Sequence, residues 1–243
     1  MEFEGCHITV DVINALVGTP FGDRLERLGV RMGLKNGGRW YDSPTEIEPG
    51  AMLAAARGFP NLSKLCIPVK EPEGSRIGGP GFYVDLSRAT NLTRLDILDF
   101  DTTDACVAAA CANLRLTSLA LDELHLLTSS IVDGITRSQT AATLECLHIG
   151  YSAQGLESPL RAADLLRIIQ GCPKLADLNW FCDQGGRSRA GLDREPCQAI
   201  VDLMKSRGTT MAHCTGVQDC IVQFAIVGEY GNCYGQNHPS LES

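Results

Sequence analysis

One short pattern of apolar and polar positions, Leu-x-x-Leu-x-Φ with Φ a large apolar residue, recurs along most of the chain. It reads "LERLGV" from Leu25, "LSKLCI" from Leu62, "LTRLDI" from Leu92, "LTSLAL" from Leu116, "LECLHI" from Leu144 and "LADLNW" from Leu175. The anchor leucines lie 37, 30, 24, 28 and 31 residues apart. Repetition at such a period marks an array of supersecondary units. Apolar residues at the first, fourth and sixth positions with alternation between them predict a short strand. Two overlapping segments, "LDILDF" from Leu95 and "LDELHL" from Leu121, fit the same template and leave two registers open.

The segments between the strands carry a helical period. Met52, Ala55, Ala56 and Phe59 fall at i, i+3, i+4 and i+7, as do Val107, Ala110, Cys111 and Leu114. Leu165, Ile168, Ile169 and Cys172 repeat the spacing behind "SPLRAAD", where Ser158 can cap and Pro159 suits a first helical turn. Cys197, Ile200, Val201 and Met204 give a last stripe that Gly208 can terminate. Each unit is then a strand and a returning helix, and neither buries its apolar side without its neighbours. The start, "CHITV" followed by "DVINALVG", reads as most of a further strand–helix unit without a polar cap.

Cysteine is the next feature that changes the picture, because 11 thiols in 243 residues could mean disulfides, metal or packing. The count is odd, no pair is spaced as Cys-x-x-Cys, and Glu2 and Glu4 stand where an export signal would be basic. "AHCTGVQDC" (His213, Cys214, Cys220) is the best of weak metal candidates. Cys111 and Cys172 sit on helix stripes, and Cys182 lies two residues past the last inward strand position, where the chain is expected to turn. Reduced, buried packing is the expected role. A net charge of −8 argues against nucleic acid. No apolar run approaches the roughly 18 residues of a membrane span, so a cytoplasmic or nuclear protein is expected.

"GFPNLSKLCI", "ATNLTRLDI", "CANLRLTSLAL" and "GCPKLADLNWFC" resemble leucine-rich repeats of the ribonuclease-inhibitor-like superfamily. The likeness is to the cysteine-containing variety of F-box/LRR proteins, in which a helix ends in Cys-Pro-x-Leu. Cys172-Pro173 matches that dipeptide; Phe59-Pro60, Ala89-Thr90 and Cys111-Ala112 match in part. The resemblance covers about residues 20–208. It implies an α/β leucine-rich-repeat solenoid, curved, with parallel strands on the concave face and helices on the convex face. On that basis the chain divides into an array over 1–208, about six to seven units with the first incomplete, a C-terminal cap over 209–230 and a disordered tail over 231–243.

In the register of the six anchors, the outward third positions are Arg27, Lys64, Arg94, Ser118, Cys146 and Asp177. The fifth are Gly29, Cys66, Asp96, Ala120, His148 and Asn179, and the seventh include Leu98, Asp122, Gly150 and Phe181. The residues expected to touch a partner on the concave face are Arg27, Lys64, Arg94, Asp96, Leu98, Asp122, His148, Asp177, Asn179 and Phe181. Trp180, at an inward position, is expected in the core. Three long links (31–49, 68–81 and 181–196) emerge on one edge and form a candidate rim; "GGPG" in the second lacks the Lys-Ser/Thr of a phosphate loop.

The function expected is non-catalytic protein binding, with no cofactor or metal, and with neither nucleic acid nor membrane as partner. The resemblance implies substrate recognition for a ubiquitin ligase, whose adaptor would bind only if an F-box lay upstream. Two alternatives are a regulator of a small GTPase and an immune-type receptor arm. A third is a hydrolase using Cys146 with His148, or Asp96 with Asp122 as acid and base. No oxyanion site or third group completes the first pair in the sequence.

Overall fold

A computed structural model describes residues 7–29, 46–67, 79–98, 102–121, 127–151, 160–183, 199–200, 202–203, 206–207, 210–216 and 221–227. In chain order the elements are β1 (His7–Ile8), α1 (Val10–Leu16), β2 (Arg27–Leu28), β3 (Glu46–Ile47), α2 (Pro49–Gly58), β4 (Lys64–Ile67), α3 (Pro80–Leu86) and β5 (Arg94–Ile97). There follow α4 (Asp104–Asn113), β6 (Ser118–Leu121), α5 (Ile131–Thr136), β7 (Cys146–Tyr151), α6 (Ala162–Gly171), β8 (Asp177–Asp183), β9 (Thr210–Gly216) and β10 (Ile221–Val227).

The fold is mixed α/β. Six parallel strands stand in the order β2-β4-β5-β6-β7-β8, and β10 then β9 continue the sheet antiparallel. Each of the six pairs with the strand of the next anchor. The fourth template positions Leu28, Leu65, Leu95, Leu119, Leu147 and Leu178 meet side by side across the whole row. All six are buried, and with Ile67, Ile97, Leu121 and Ile149 they form one core with the helix stripes. The ambiguity of register closes in favour of "LTRLDI" and "LTSLAL", because β5 and β6 start at Arg94 and Ser118.

The helices follow the stripes. Met52, Ala55, Ala56 and Phe59 are sealed in the core, as are Val107, Ala110, Cys111 and Leu114, and Leu165, Ile168, Ile169 and Cys172. Pro49 opens α2, where a missing N–H is harmless. α6 begins at Ala162, its start fixed by the Arg161 N–H donating to Asp164 Oδ2 at 3.1 Å; Ser158 and Pro159 lie outside the described residues. Of the last stripe, Ile200 is buried, while Cys197, Val201 and Met204 lie outside the description.

Three expectations change. "CHITV" adds no strand to the main sheet: β1 pairs in parallel with β3, beside the starts of α1 and α2. The short strand β3 falls within the 31–49 link, and Gly79–Gly81 of the next link already begins α3. Cys182 is no turn residue, since β8 runs on to Asp183 with β10 paired along it. A second neighbouring strand keeps β8 extended where the template, which knows only one repeat, ends it.

A polar seam holds the junctions. The carbonyl at the second template position of each unit accepts two backbone N–H groups from the next. Glu26 receives Ser63 and Lys64, Ser63 receives Thr93 and Arg94, and Thr93 receives Thr117 and Ser118. Thr117 receives Glu145 and Cys146, and Glu145 receives Ala176 and Asp177. Hydroxyls at that position reinforce it, with Ser63 Oγ, Thr93 Oγ1 and Thr117 Oγ1 donating to the preceding unit's carbonyl.

Helix ends, whose carbonyls have no intrahelical donor, are served from the following unit. Asn91 Nδ2 donates to Phe59 O and Leu62 O at 3.1 and 2.8 Å, and Arg207 to Ile169 O and Cys172 O at 2.7 and 3.0 Å. Thr140 Oγ1, wholly buried, lies 2.8 Å from Leu114 O and 3.3 Å from Cys111 O. Thr140→Val keeps the volume and removes this donor, so it should destabilise by about 1–3 kcal/mol in urea unfolding. A change under about 0.3 kcal/mol would show that the contact carries no net stability.

Candidate functional site

The face of the sheet turned away from the helices carries two rows of side chains. Arg27, Lys64, Arg94, Ser118, Cys146 and Asp177 are Cα partners in sequence across six strands. Cys66, Asp96, Ala120, His148 and Asn179 form the second row. These are the third and fifth template positions. Alternation along a strand puts them opposite the leucines, and parallel pairing without offset aligns them. Gly29 heads the second row for a steric reason: a Cβ there would stand 2.6 Å from Cys66 Cβ.

The rows are not uniformly open. Arg27 and Arg94 are exposed, and Lys64, Leu98, Cys146, His148 and Asp177 are of intermediate exposure. Asp96, Ser118 and Ala120 are buried, Ala120 without belonging to the hydrophobic core. Asp96 was expected as a solvent-facing carboxylate, and here the structure corrects the sequence reading. Its Oδ2 lies 2.7 Å from Lys64 Nζ, one strand over and two residues along. That diagonal is within reach of a long side chain, and the two charges lock together. Asp122 lies outside the described residues, as do the side chains at 179–181, so Asn179, Trp180 and Phe181 are placed by backbone register alone.

Thiol chemistry on this face is restrained. Burial first, and the Asp96 carboxylate second, push the Cys66 thiol up to about 12 against the opposing pull of Lys64. Burial likewise lifts Cys111 to about 12, opposed by a hydrogen bond with Thr140, and Cys172 to about 11, opposed by Arg207. None of the three offers a thiolate at neutral pH, which suits packing rather than nucleophilic attack. Cys66, Cys106, Cys111 and Cys172 are free.

Cys146 departs from the expectation of reduced thiols, for it is disulfide-bonded. It stands on the strand face, whereas the helix-stripe thiols Cys111 and Cys172 are sealed inside. A sulfur so bonded lacks the thiolate that a Cys146–His148 couple needs, although the two do share the face at i and i+2. Asp96, held by Lys64, has Ala120 as its in-register neighbour on β6. Among the described residues no group of three or more His, Cys, Asp or Glu could hold a metal ion, and no helix is long and apolar enough to cross a membrane. Cys220 and the side chains of His213 and Cys214 lie outside the description.

Sequence reasoning put the rows in register but missed two features. The Lys64–Asp96 pair was available from the template, since third and fifth positions of neighbouring units are diagonal. The Cys146 disulfide had no local signal, because cysteine pairing depends on the approach of distant segments. Compared with known proteins, the chain matches no family model, and no curated protein is significantly similar to it.

Proposed function

We propose that this chain is a leucine-rich-repeat solenoid that docks a protein partner on its strand face and performs no chemistry of its own. The observation that carries this reading is the pair of in-register rows across six parallel strands. Among the six parallel strands the order follows the chain, and helix packs on the next helix, so each unit touches its neighbours, as stacked repeats do. Such a sheet offers a long surface for docking, because the apolar core lies on its other side. The raised thiols and the Cys146 disulfide favour a binding surface over a nucleophile.

The test is obstruction. Arg94→Trp with Asp177→Trp places two large side chains on the strand face, whereas Arg88→Trp with Arg137→Trp does the same on the helix side. Proteins retained from a cell extract by the wild type should be lost from the first variant and kept by the second, with both unfolding at the wild-type temperature. Equal retention by the two would reject the strand face as the docking site.

A further inference from the structure

We infer that the partner reaches this face with an acidic, extended segment that lies across β2, β4 and β5; this rests on the docking function proposed above and gives the partner's chemistry. Arg27, Lys64 and Arg94 are successive in-register partners. Neighbouring strands lie about 4.8 Å apart, so three cations share roughly 10 Å of sheet. Among the described residues, Lys64 is the one that is paired, with Asp96. Arg27 and Arg94 meet no carboxylate among the described residues, and both are exposed.

Four arginines on the helix side are paired with carboxylates. Arg57 and Arg88 both meet Asp85, at 3.3 and 3.2 Å, and Arg137 and Arg167 both meet Asp133, at 3.5 and 2.8 Å. On the strand face of this acidic protein, net charge −8, Arg27 and Arg94 instead flank Lys64 with no carboxylate partner among the described residues. Guanidinium binds carboxylate in a two-pronged fashion, which gives both strength and orientation. A nucleic-acid partner would require a broad basic surface on a chain whose overall charge repels phosphate. A short acidic peptide needs only this corner, and repulsion from the rest of the molecule confines it there.

Spacing adds to the argument. Arg27 and Arg94 are two strand intervals apart, about 9.6 Å. A polyproline II segment returns the same side to its binding surface every three residues, about 9.3 Å along. Carboxylates at i and i+3 of such a segment therefore meet the two arginines in turn.

The probe is a fluorescein-labelled peptide, Glu-Pro-Pro-Glu-Pro-Pro-Glu, titrated with the full chain in fluorescence anisotropy. Its Gln and Lys counterparts and a single-stranded oligonucleotide of about eight phosphates serve as competitors. The Glu peptide should bind, weaken with added salt, and outcompete all three others by at least about 10-fold, as charge-steered contacts do. Arg27→Glu with Arg94→Glu should weaken it about 10-fold or more, whereas Arg57→Glu with Arg88→Glu, an equal change of net charge, should not. If the first pair impairs folding, Arg27→Gln with Arg94→Gln replaces it, with the same loss expected. Absence of Glu-peptide binding, preference for the oligonucleotide, or indifference to both Arg27/Arg94 variants would overturn the inference. Should tryptophans on the strand face still abolish partner retention, only the acidic chemistry fails; should they not, the docking face fails with it.

Discussion

Replacing Leu119 with alanine should remove about 2–5 kcal/mol of stability, one of the largest losses from a single truncation in this chain. Leu119 is 1% exposed on β6, in register with Leu95 on one side and Leu147 on the other. Its side chain is hemmed in along the sheet by those leucines, so the vacated space cannot close without moving two other strands. Arg94→Ala, on the opposite face and exposed, should stay within about 0.5 kcal/mol. Asp96→Ala should fall between them, at about 1–2 kcal/mol, because it strands a partly buried Lys64 and deletes a carboxylate held at 2.7 Å. Chemical denaturation of the three variants reads the order directly. A register one residue off exchanges the faces, and Leu119→Ala would then cost no more than Arg94→Ala; that equality would refute the arrangement.

The face assignments were legible in the sequence because they are local. A leucine at the fourth position and a polar residue at the third can only straddle an extended backbone, and near-constant spacing forces equivalent residues of successive units together. Helix stripes were legible for the same reason; Cys111 and Cys172 fell at their expected places in the core. What the template could not supply was anything set by a neighbour outside the repeat. The pairing of β1 with β3 joins segments separated by a long link. The extension of β8 depends on β10, whose Ile221, Phe224 and Ile226 fit the anchor pattern only loosely and whose antiparallel pairing the parallel template does not contain. Burial of Asp96, Ser118 and Ala120 depends on what lies around them, which alternation cannot see. The candidate site was therefore readable as a list of positions, but the burial of Asp96 and its pairing with Lys64 emerged only from distances and exposure.

The buried thiols make a second strong expectation, that stability falls steeply in alkali. An unfolded cysteine ionises near 8.5. Native Cys66 and Cys111 keep their protons up to about 12 and Cys172 up to about 11, with burial the leading cause in each. Below about pH 8.5 the folded and unfolded chains hold the same protons at these sites, and the stability they contribute is fully present. Above it the unfolded chain releases protons that the native state retains, so stability drains away as pH climbs toward the folded values. At pH 10 the loss from Cys111, which is fully buried, is on the order of 2 kcal/mol, with Cys66 and Cys172 acting in the same direction. Cys111→Ala supplies the check: its absolute stability drops through the lost packing, but its decline between pH 8 and pH 10 should be shallower than the wild type's by roughly that 2 kcal/mol. Lysine and tyrosine ionisation and the Cys146 disulfide are common to both proteins and cancel in the difference. Parallel pH profiles would mean that Cys111 ionises as readily in the fold as in the open chain, and a dry, sealed helix stripe would be untenable.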